Sequence, residues 1–193
     1  FKPTFLVPLK DGKLLKEDIS QLEKWNNLTH TSMNGKLWNE ELGRYFAYDL
    51  KAEKTIYSET SSGLIPLFAG IPNERQAERL IENMSSLKFS GTDEYPSWLC
   101  PTYSLDAKDV NFEKYWRGPI WLNMNWLLYK GLKRYSYKNL AKKIKIDSLS
   151  LISKFGFYEY FDPRKNQINQ SGYGTDQFSW STAITIDFLF SDE

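Results

Sequence analysis

Apolar residues recur along this chain mostly at intervals of three and four, which predicts helices joined by polar connections. After a polar turn at 10–13, Ile19, Leu22, Trp25 and Leu28 mark one face of a helix over about 16–30. Residues 37–43 predict a short helix stopped by Gly43. Residues 44–50 and 54–57, separated by a charged turn, predict a small β-hairpin. The stretch 61–70 is apolar but broken by Gly63 and Pro66, and reads as packing. Asn73 then caps a helix, with Gln76 three residues on and Ala77, Leu80, Ile81, Met84 and Leu87 at helical spacing. Pro119 suits the first turn of a helix reaching about Arg134, with Ile120, Met124, Leu127, Leu128, Gly131 and Leu132 as its buried stripe. A further helix over about 138–154 ends at Gly156, and Ser179 is the expected N-cap of a last helix with Trp180, Ala183, Ile184 and Phe188 inside. Helix after helix joined by long loops is the architecture of a helical barrel or repeat, so the expected class is all-α with a small β-hairpin.

Composition narrows the function more than the fold. The chain has 193 residues, enough for one well-buried domain, and residues 1–193 are read as a single one. Its 25 basic and 24 acidic residues leave a formal charge of +1, which gives no electrostatic case for nucleic acid or an anionic membrane. No apolar run approaches the roughly 20 residues that span a bilayer. Cys100 is the single cysteine, which excludes an internal disulfide framework and fits a reducing, cytoplasmic compartment. With His30 the single histidine, a metal site is not expected either. His30 itself, near a helix C-terminus and without a second His, Cys or nucleophile, reads as structural or surface. The opening residues 1–9, without a methionine start, read like a segment inside a longer protein.

The aromatic content, 12 Phe, 12 Tyr and 7 Trp, suits a large core, a carbohydrate cleft, or both. Its focus is Tyr115-Trp116-Arg117-Gly118-Pro119-Ile120-Trp121, followed by Asn123-Met124-Asn125-Trp126. Rings stack on the C–H faces of a sugar, while N–H and guanidinium groups bond its hydroxyls, so Tyr115, Trp116 and Trp121 are candidate ligand-binding groups. Core packing is the alternative for the same rings. The long connection 90–112 is a further place for function. Trp38, Asn39, Glu40 and Asp49 are polar or aromatic groups that could reach a cleft, though Glu40 and Glu41 read better as a solvated edge. Glu159 lies in Phe157-Tyr158-Glu159-Tyr160-Phe161. A carboxylate among aromatics is partly desolvated, which raises its basicity and suits it to deprotonating a water. The alternative for Glu159 is a structural carboxylate tied to Arg117 or to a backbone N–H. Asp162, before Pro163, reads as a turn residue, and Asp187 as a structural partner.

Taken in order, these motifs, with Gly156-Phe157-Tyr158-Glu159-Tyr160-Phe161-Asp162-Pro163 and Phe178-Ser179-Trp180-Ser181, resemble the C-terminal half of glycoside hydrolase family 63 catalytic domains. The likeness is to the mannosylglycerate and glucosylglycerate hydrolase type, often labelled glycogen-debranching-related. Leu37-Trp38-Asn39-Glu40-Glu41 and Ser62-Gly63-Leu64-Ile65-Pro66-Leu67 fit the same family, so the likeness covers most of the chain from Trp38 on. The resemblance implies part of an (α/α)6 barrel and hydrolysis with inversion, using one carboxylic acid and one carboxylate. It implies that Glu159 is the general base, that Tyr115, Trp116 and Trp121 line the sugar subsite, and that Arg117 belongs to the same substrate-binding motif. It implies no metal or organic cofactor.

The family's general acid, an aspartate, precedes the base by well over a hundred residues, and no match to its motif occurs here. Inversion needs acid and base about 6.5–9.5 Å apart. The resemblance therefore implies a sugar substrate and a missing N-terminal half of the barrel or a companion chain, with this chain inactive alone. Small α-glucosides, α-mannosides or glycosylglycerates are the expected substrates, with trehalase-like or debranching activity as a rival. A non-catalytic carbohydrate-binding or regulatory module, or a purely structural helical repeat, stands as the alternative outside enzymes.

Overall fold

The computed structural model describes residues 16–90, 97–164 and 172–191. α1 (Lys16–Ser32) continues into a π-helical turn (Met33–Leu37), followed by β1 (Trp38–Asn39), β2 (Arg44–Tyr45), β3 (Ala47–Asp49) and β4 (Lys54–Ile56). A 3-10 turn (Ser61–Leu64) leads into α2 (Pro66–Ala69) and α3 (Glu74–Met84). The order ends with α4 (Leu122–Arg134), α5 (Lys138–Phe155), β5 (Tyr160–Phe161), β6 (Gly172–Tyr173) and α6 (Ser179–Phe190). Among the described residues the strands pair as three antiparallel ribbons, β1 with β2, β3 with β4 and β5 with β6. The class is thus all-α with small hairpins, as expected.

α4 is the hub, packed against α2, α5 and α6. Its Leu128, Tyr129 and Leu132 meet Leu67, Ile144 and Phe188 in one apolar core that also takes in Leu64, Leu80 and Leu99. Gly131 lets α2 come close, since a Cβ there would lie 2.9 Å from Leu67 Cβ and 3.0 Å from Phe68 N. α3 forms with the cap and most of the stripe its sequence predicts, but it ends at Met84, so Leu87 lies beyond it and is 74% exposed. Asn73 Oδ1 accepts from Gln76 N at 2.9 Å, Gln76 Oε1 accepts from Asn73 N at 3.0 Å, and Ala77, Leu80, Ile81 and Met84 are buried. α5 buries Ala141, Ile144 and Ile152 and ends at Gly156, where φ is +89°. The hairpin forms at 47–56, where Asp49 Oδ1 accepts from Lys51 N (2.9 Å) and Ala52 N (3.0 Å) to hold the turn.

Four expectations change. Residues 37–43 are not a helix. Trp38 and Asn39 pair with Tyr45 and Arg44, and Gly43, at φ +64°, closes the turn between them. Pro119 does not begin α4, because backbone partners hold this segment extended. Its carbonyl accepts from Thr102 N and Thr102 Oγ1, both at 3.0 Å, and Ile120 bridges Pro101 on one side and Phe161 on the other. α4 starts at Leu122 and buries Asn125, Leu128, Tyr129, Gly131 and Leu132, leaving Met124 and Leu127 half-buried. Phe178, not Ser179, occupies the N-cap position of α6, which turns Ile184 and Phe188 inward but leaves Trp180 and Ala183 exposed. Finally, the stretch 61–70 contains α2. The face of α1 is present but uncovered among the described residues, with Ile19, Trp25 and Leu28 exposed.

Among the described residues no helix is long and apolar enough to cross a membrane. The polar turn expected at 10–13, and residues 91–96 of the connection 90–112, lie outside the described residues.

Candidate active site

Strand register builds the site. Ile120 and Phe161 exchange backbone hydrogen bonds at 2.8 and 2.9 Å, and Tyr160 pairs with Tyr173 across β5 and β6. Antiparallel pairing therefore sets Trp121 beside Tyr160 and Tyr160 beside Tyr173 on one face. Their rings stack in a row, Trp121 on Tyr160 at 5.5 Å and Tyr160 on Tyr173 at 5.8 Å between centroids. Trp116 adds a fourth ring, 4.4 Å from Trp121 and only 9° from parallel. Trp121 is 2% exposed, whereas Trp116 is 47% exposed and presents a ring to solvent. Trp180 leans on Trp121 from the α6 side at 6.3 Å.

Tyr115 lies edge-on to three of these rings, at 5.9 Å from Trp116, 4.8 Å from Trp121 and 5.2 Å from Tyr160. Its carbonyl accepts from Trp121 Nε1 at 2.8 Å, and its hydroxyl donates to Glu159 Oε1. That bond to the carboxylate, helped by partial burial, raises the Tyr115 pKa above the usual phenol value and keeps it a donor. Tyr160 is raised as well, by burial first and then by the Glu159 charge. The second oxygen of Glu159 accepts from Thr175 N at 3.4 Å. Gly174 lies across from Glu159, one step beyond the β5–β6 pairs. At φ +75°, a Cβ on it would fall on Oε2 and lie 2.8 Å from Glu159 Cβ.

The candidate residues thus converge, with one exception. Tyr115, Trp116, Trp121 and Glu159 form one cluster. Arg117 belongs to the same loop, but its side chain is exposed, and no ion pair joins it to Glu159 among the described residues. Its backbone closes a tight loop instead, Asn111 N donating to Arg117 O at 2.7 Å. The structural tie foreseen for Glu159 is therefore a phenol and a backbone N–H. Asp162 is buried and engaged by Arg164, whose backbone N lies 2.9 Å and Nη2 2.6 Å from its oxygens, as a turn residue should be. Arg164 in turn stacks over Phe112 at 5.1 Å, and Phe112 lies close under Gly118. Asp187 accepts from Trp126 Nε1 at 2.7 Å and pairs with Lys130 at 2.9 Å. Burial works against its charge, but these partners hold its carboxyl below the ordinary value.

Glu40 pairs with Arg75 and takes the Trp38 indole N–H at 2.8 Å, so the edge at 38–41 is a solvated ion-pair patch rather than part of the cleft. The Arg75 and Trp38 bonds lower the Glu40 carboxyl to about 2. Among the described residues no group of three His, Cys, Asp or Glu side chains is placed to hold a metal ion.

Sequence reasoning missed Tyr160 and Tyr173 as part of the wall, and Gly174 and Thr175 beside Glu159. The alternation Gly172-Tyr173-Gly174 carried the signal, since glycines flanking an aromatic mark a strand with close backbone neighbours. Trp180 was expected in the core and stands 52% exposed beside the wall.

Packed helices with the aromatic site on the segment before α4 and the β5–β6 ribbon define the class, an all-α chain that forms part of an (α/α)6 barrel. The GH63 mannosylglycerate hydrolase from Thermus thermophilus, solved in complex with Tris, superimposes with a TM-score of 0.80 at 33% identity. The match covers 90% of this chain and 40% of that one. The family model described as the mannosylglycerate hydrolase MGH1-like glycoside hydrolase domain matches residues 11–181. The chain belongs to this glycoside hydrolase family. A mannosylglycerate hydrolase of Thermus thermophilus is 37% identical over 90% of this chain, and glucosylglycerate hydrolase of Mycolicibacterium hassiacum is 29% identical over 93%. The chain spans about two-fifths of their lengths, 39% in both cases.

Proposed function

We propose that the intact protein is an inverting glycosidase for small α-linked glucosides or mannosides, with glycosylglycerates as its first candidates, and that Glu159 is its general base. The carrying observation is the Glu159 carboxylate held at the edge of an aromatic row whose outer ring, Trp116, is open. The membership of the chain in the MGH1-like family supports the same reading. A sugar lies on Trp116, with Tyr115 and Trp121 lining the subsite and Arg117 at its rim. Glu159 takes a proton from a water that attacks the anomeric carbon opposite the leaving group. The departing oxygen takes its proton from an acid that this chain does not supply. That acid comes from the remaining part of the barrel or from a companion chain, and this chain alone does not turn over. Two carboxylates and a water suffice for the step. The buried free thiol of Cys100 suits a reducing, cytoplasmic setting.

The test is hydrolysis by the full-length protein of mannosylglycerate, glucosylglycerate, trehalose and short α-glucans, with the first-formed anomer read by proton NMR. One substrate should be cleaved with inversion, and Glu159→Gln should lower kcat by at least about 1,000-fold. A first product of retained configuration, or full activity in Glu159→Gln, rejects the mechanism. Sugar binding that survives Glu159→Gln, with no hydrolysis of any substrate, selects a carbohydrate-binding module instead.

A further inference from the structure

Beyond naming a base, the geometry points to what aims it: we infer that Tyr115 and the Gly174–Thr175 turn are positioning elements that hold both oxygens of Glu159. The inference rests on the reading of Glu159 as the general base. A glutamate side chain has several freely rotating bonds, so an exposed one samples many aims, and a base off its line to the water works poorly. Here each oxygen has a donor, Tyr115 Oη–H on Oε1 and Thr175 N–H on Oε2. A carboxylate offers about four lone-pair sites, so two donors leave sites free for the attacking water.

Both supports are themselves fixed. The ring of Tyr115 stands against Trp116, Trp121 and Tyr160, and its carbonyl is held by the Trp121 indole. A sugar resting on Trp116 and the carboxylate that activates its water are therefore referenced to one ring. On the other side, the turn reaches Oε2 because residue 174 has no Cβ and adopts φ +75°. Any other side chain would occupy the carboxylate's place or push the turn away from it.

The full-length protein is assayed on whichever substrate the panel above identifies, with Tyr115→Phe, Gly174→Ala, Trp116→Ala and Glu159→Gln compared at equal folded fraction. Tyr115→Phe keeps the ring and removes one donor. Its kcat should fall about 10- to 100-fold, with KM unchanged within about 2-fold. Gly174→Ala should do the same by displacing Oε2, whereas Trp116→Ala should act on KM. A merely structural role would lower the Tm and leave kcat per folded molecule intact. If Glu159→Gln is inactive while Tyr115→Phe and Gly174→Ala keep wild-type kcat, the inference is overturned and the base assignment stands. If Glu159→Gln is active, the base assignment fails and the inference with it. Should Gly174→Ala not fold, Tyr115→Phe decides alone.

Discussion

The two sides of the short extended segment Ile120–Trp121 differ in kind. Behind it Asn125 and Thr102 are buried with their polar atoms matched. Asn125, fully buried in α4, takes Cys100 N on its oxygen at 2.7 Å and gives its amide to Cys100 O and Trp121 O, both at 3.0 Å. Thr102 Oγ1 donates to Pro119 O at 3.0 Å and accepts from Gly118 N at 3.2 Å. In front stand Tyr115, Trp116 and Trp180, large rings left about half exposed. Large apolar rings left in water stabilise nothing in this chain, which agrees with the proposal that a sugar rests on this front. The rear supplies rigidity, and on the function proposed above the front supplies affinity.

The comparison is broken most strongly from behind. Asn125→Ala strips the buried Cys100 N and O of their side-chain partner and takes one of two donors from Trp121 O, which keeps Asn125 N at 3.2 Å, and should cost roughly 2–4 kcal/mol. A thermal or urea melt checks this, and an unchanged midpoint would show that the rear network is not what holds the segment.

Next comes pH. Burial pushes the Cys100 thiol up to about 12 from an ordinary value near 9. A group whose pKa is raised on folding contributes stability that is complete below its unfolded pKa and lost as pH rises through the folded one. For Cys100 that window runs from about 9 to about 12. The alkaline side of a stability curve should therefore steepen above pH 9, and Cys100→Ala should flatten it. Equal alkaline slopes in the two proteins would remove Cys100 from the account. Burial likewise raises Tyr135, to about 12, and Tyr45, so a residual slope belongs to these phenols.

The smallest effect on folding is expected in front. Trp116→Ala should leave stability within about 0.5 kcal/mol while weakening substrate binding by about 1 kcal/mol, or several-fold in KM. Calorimetry and steady-state kinetics on the full-length protein separate the two. A large loss of stability would move Trp116 from the front of the comparison to the rear.

Legibility follows the same division. The cap of α3, its stripe as far as Met84 and the stop of α5 at Gly156 are local patterns, and the structure keeps them. The site was legible as chemistry, since Tyr115, Trp116, Trp121 and Glu159 stood out as residues and were found together. The start of α4 was not, because proline is as suited to an extended segment as to a helical first turn. Only the capture of Ile120 between Pro101 and Phe161 chose between them. Nor was the reach of Gly174, whose neighbour across the hairpin is decided by strand register. Trp180 and Ser179 were misread for a related reason: helical spacing says that a face exists, not which neighbour covers it. α1 carries the same lesson, with Trp25 58% exposed on a face that its periodicity marks as apolar.

By itself the sequence determined the helical class, the places of the longer helices, and four of the side chains that gather at the candidate site, Tyr115, Trp116, Trp121 and Glu159. Those properties depend on residues close together along the chain, where spacing, caps and breakers act. The tertiary structure alone decided that Trp116, Trp121, Tyr160 and Tyr173 stack in one row, that Tyr115 is turned to Glu159, and that a glycine is needed opposite it. Those contacts join residues up to 44 positions apart, Tyr115 to Glu159, and they exist only once strands and helices have paired around a common core.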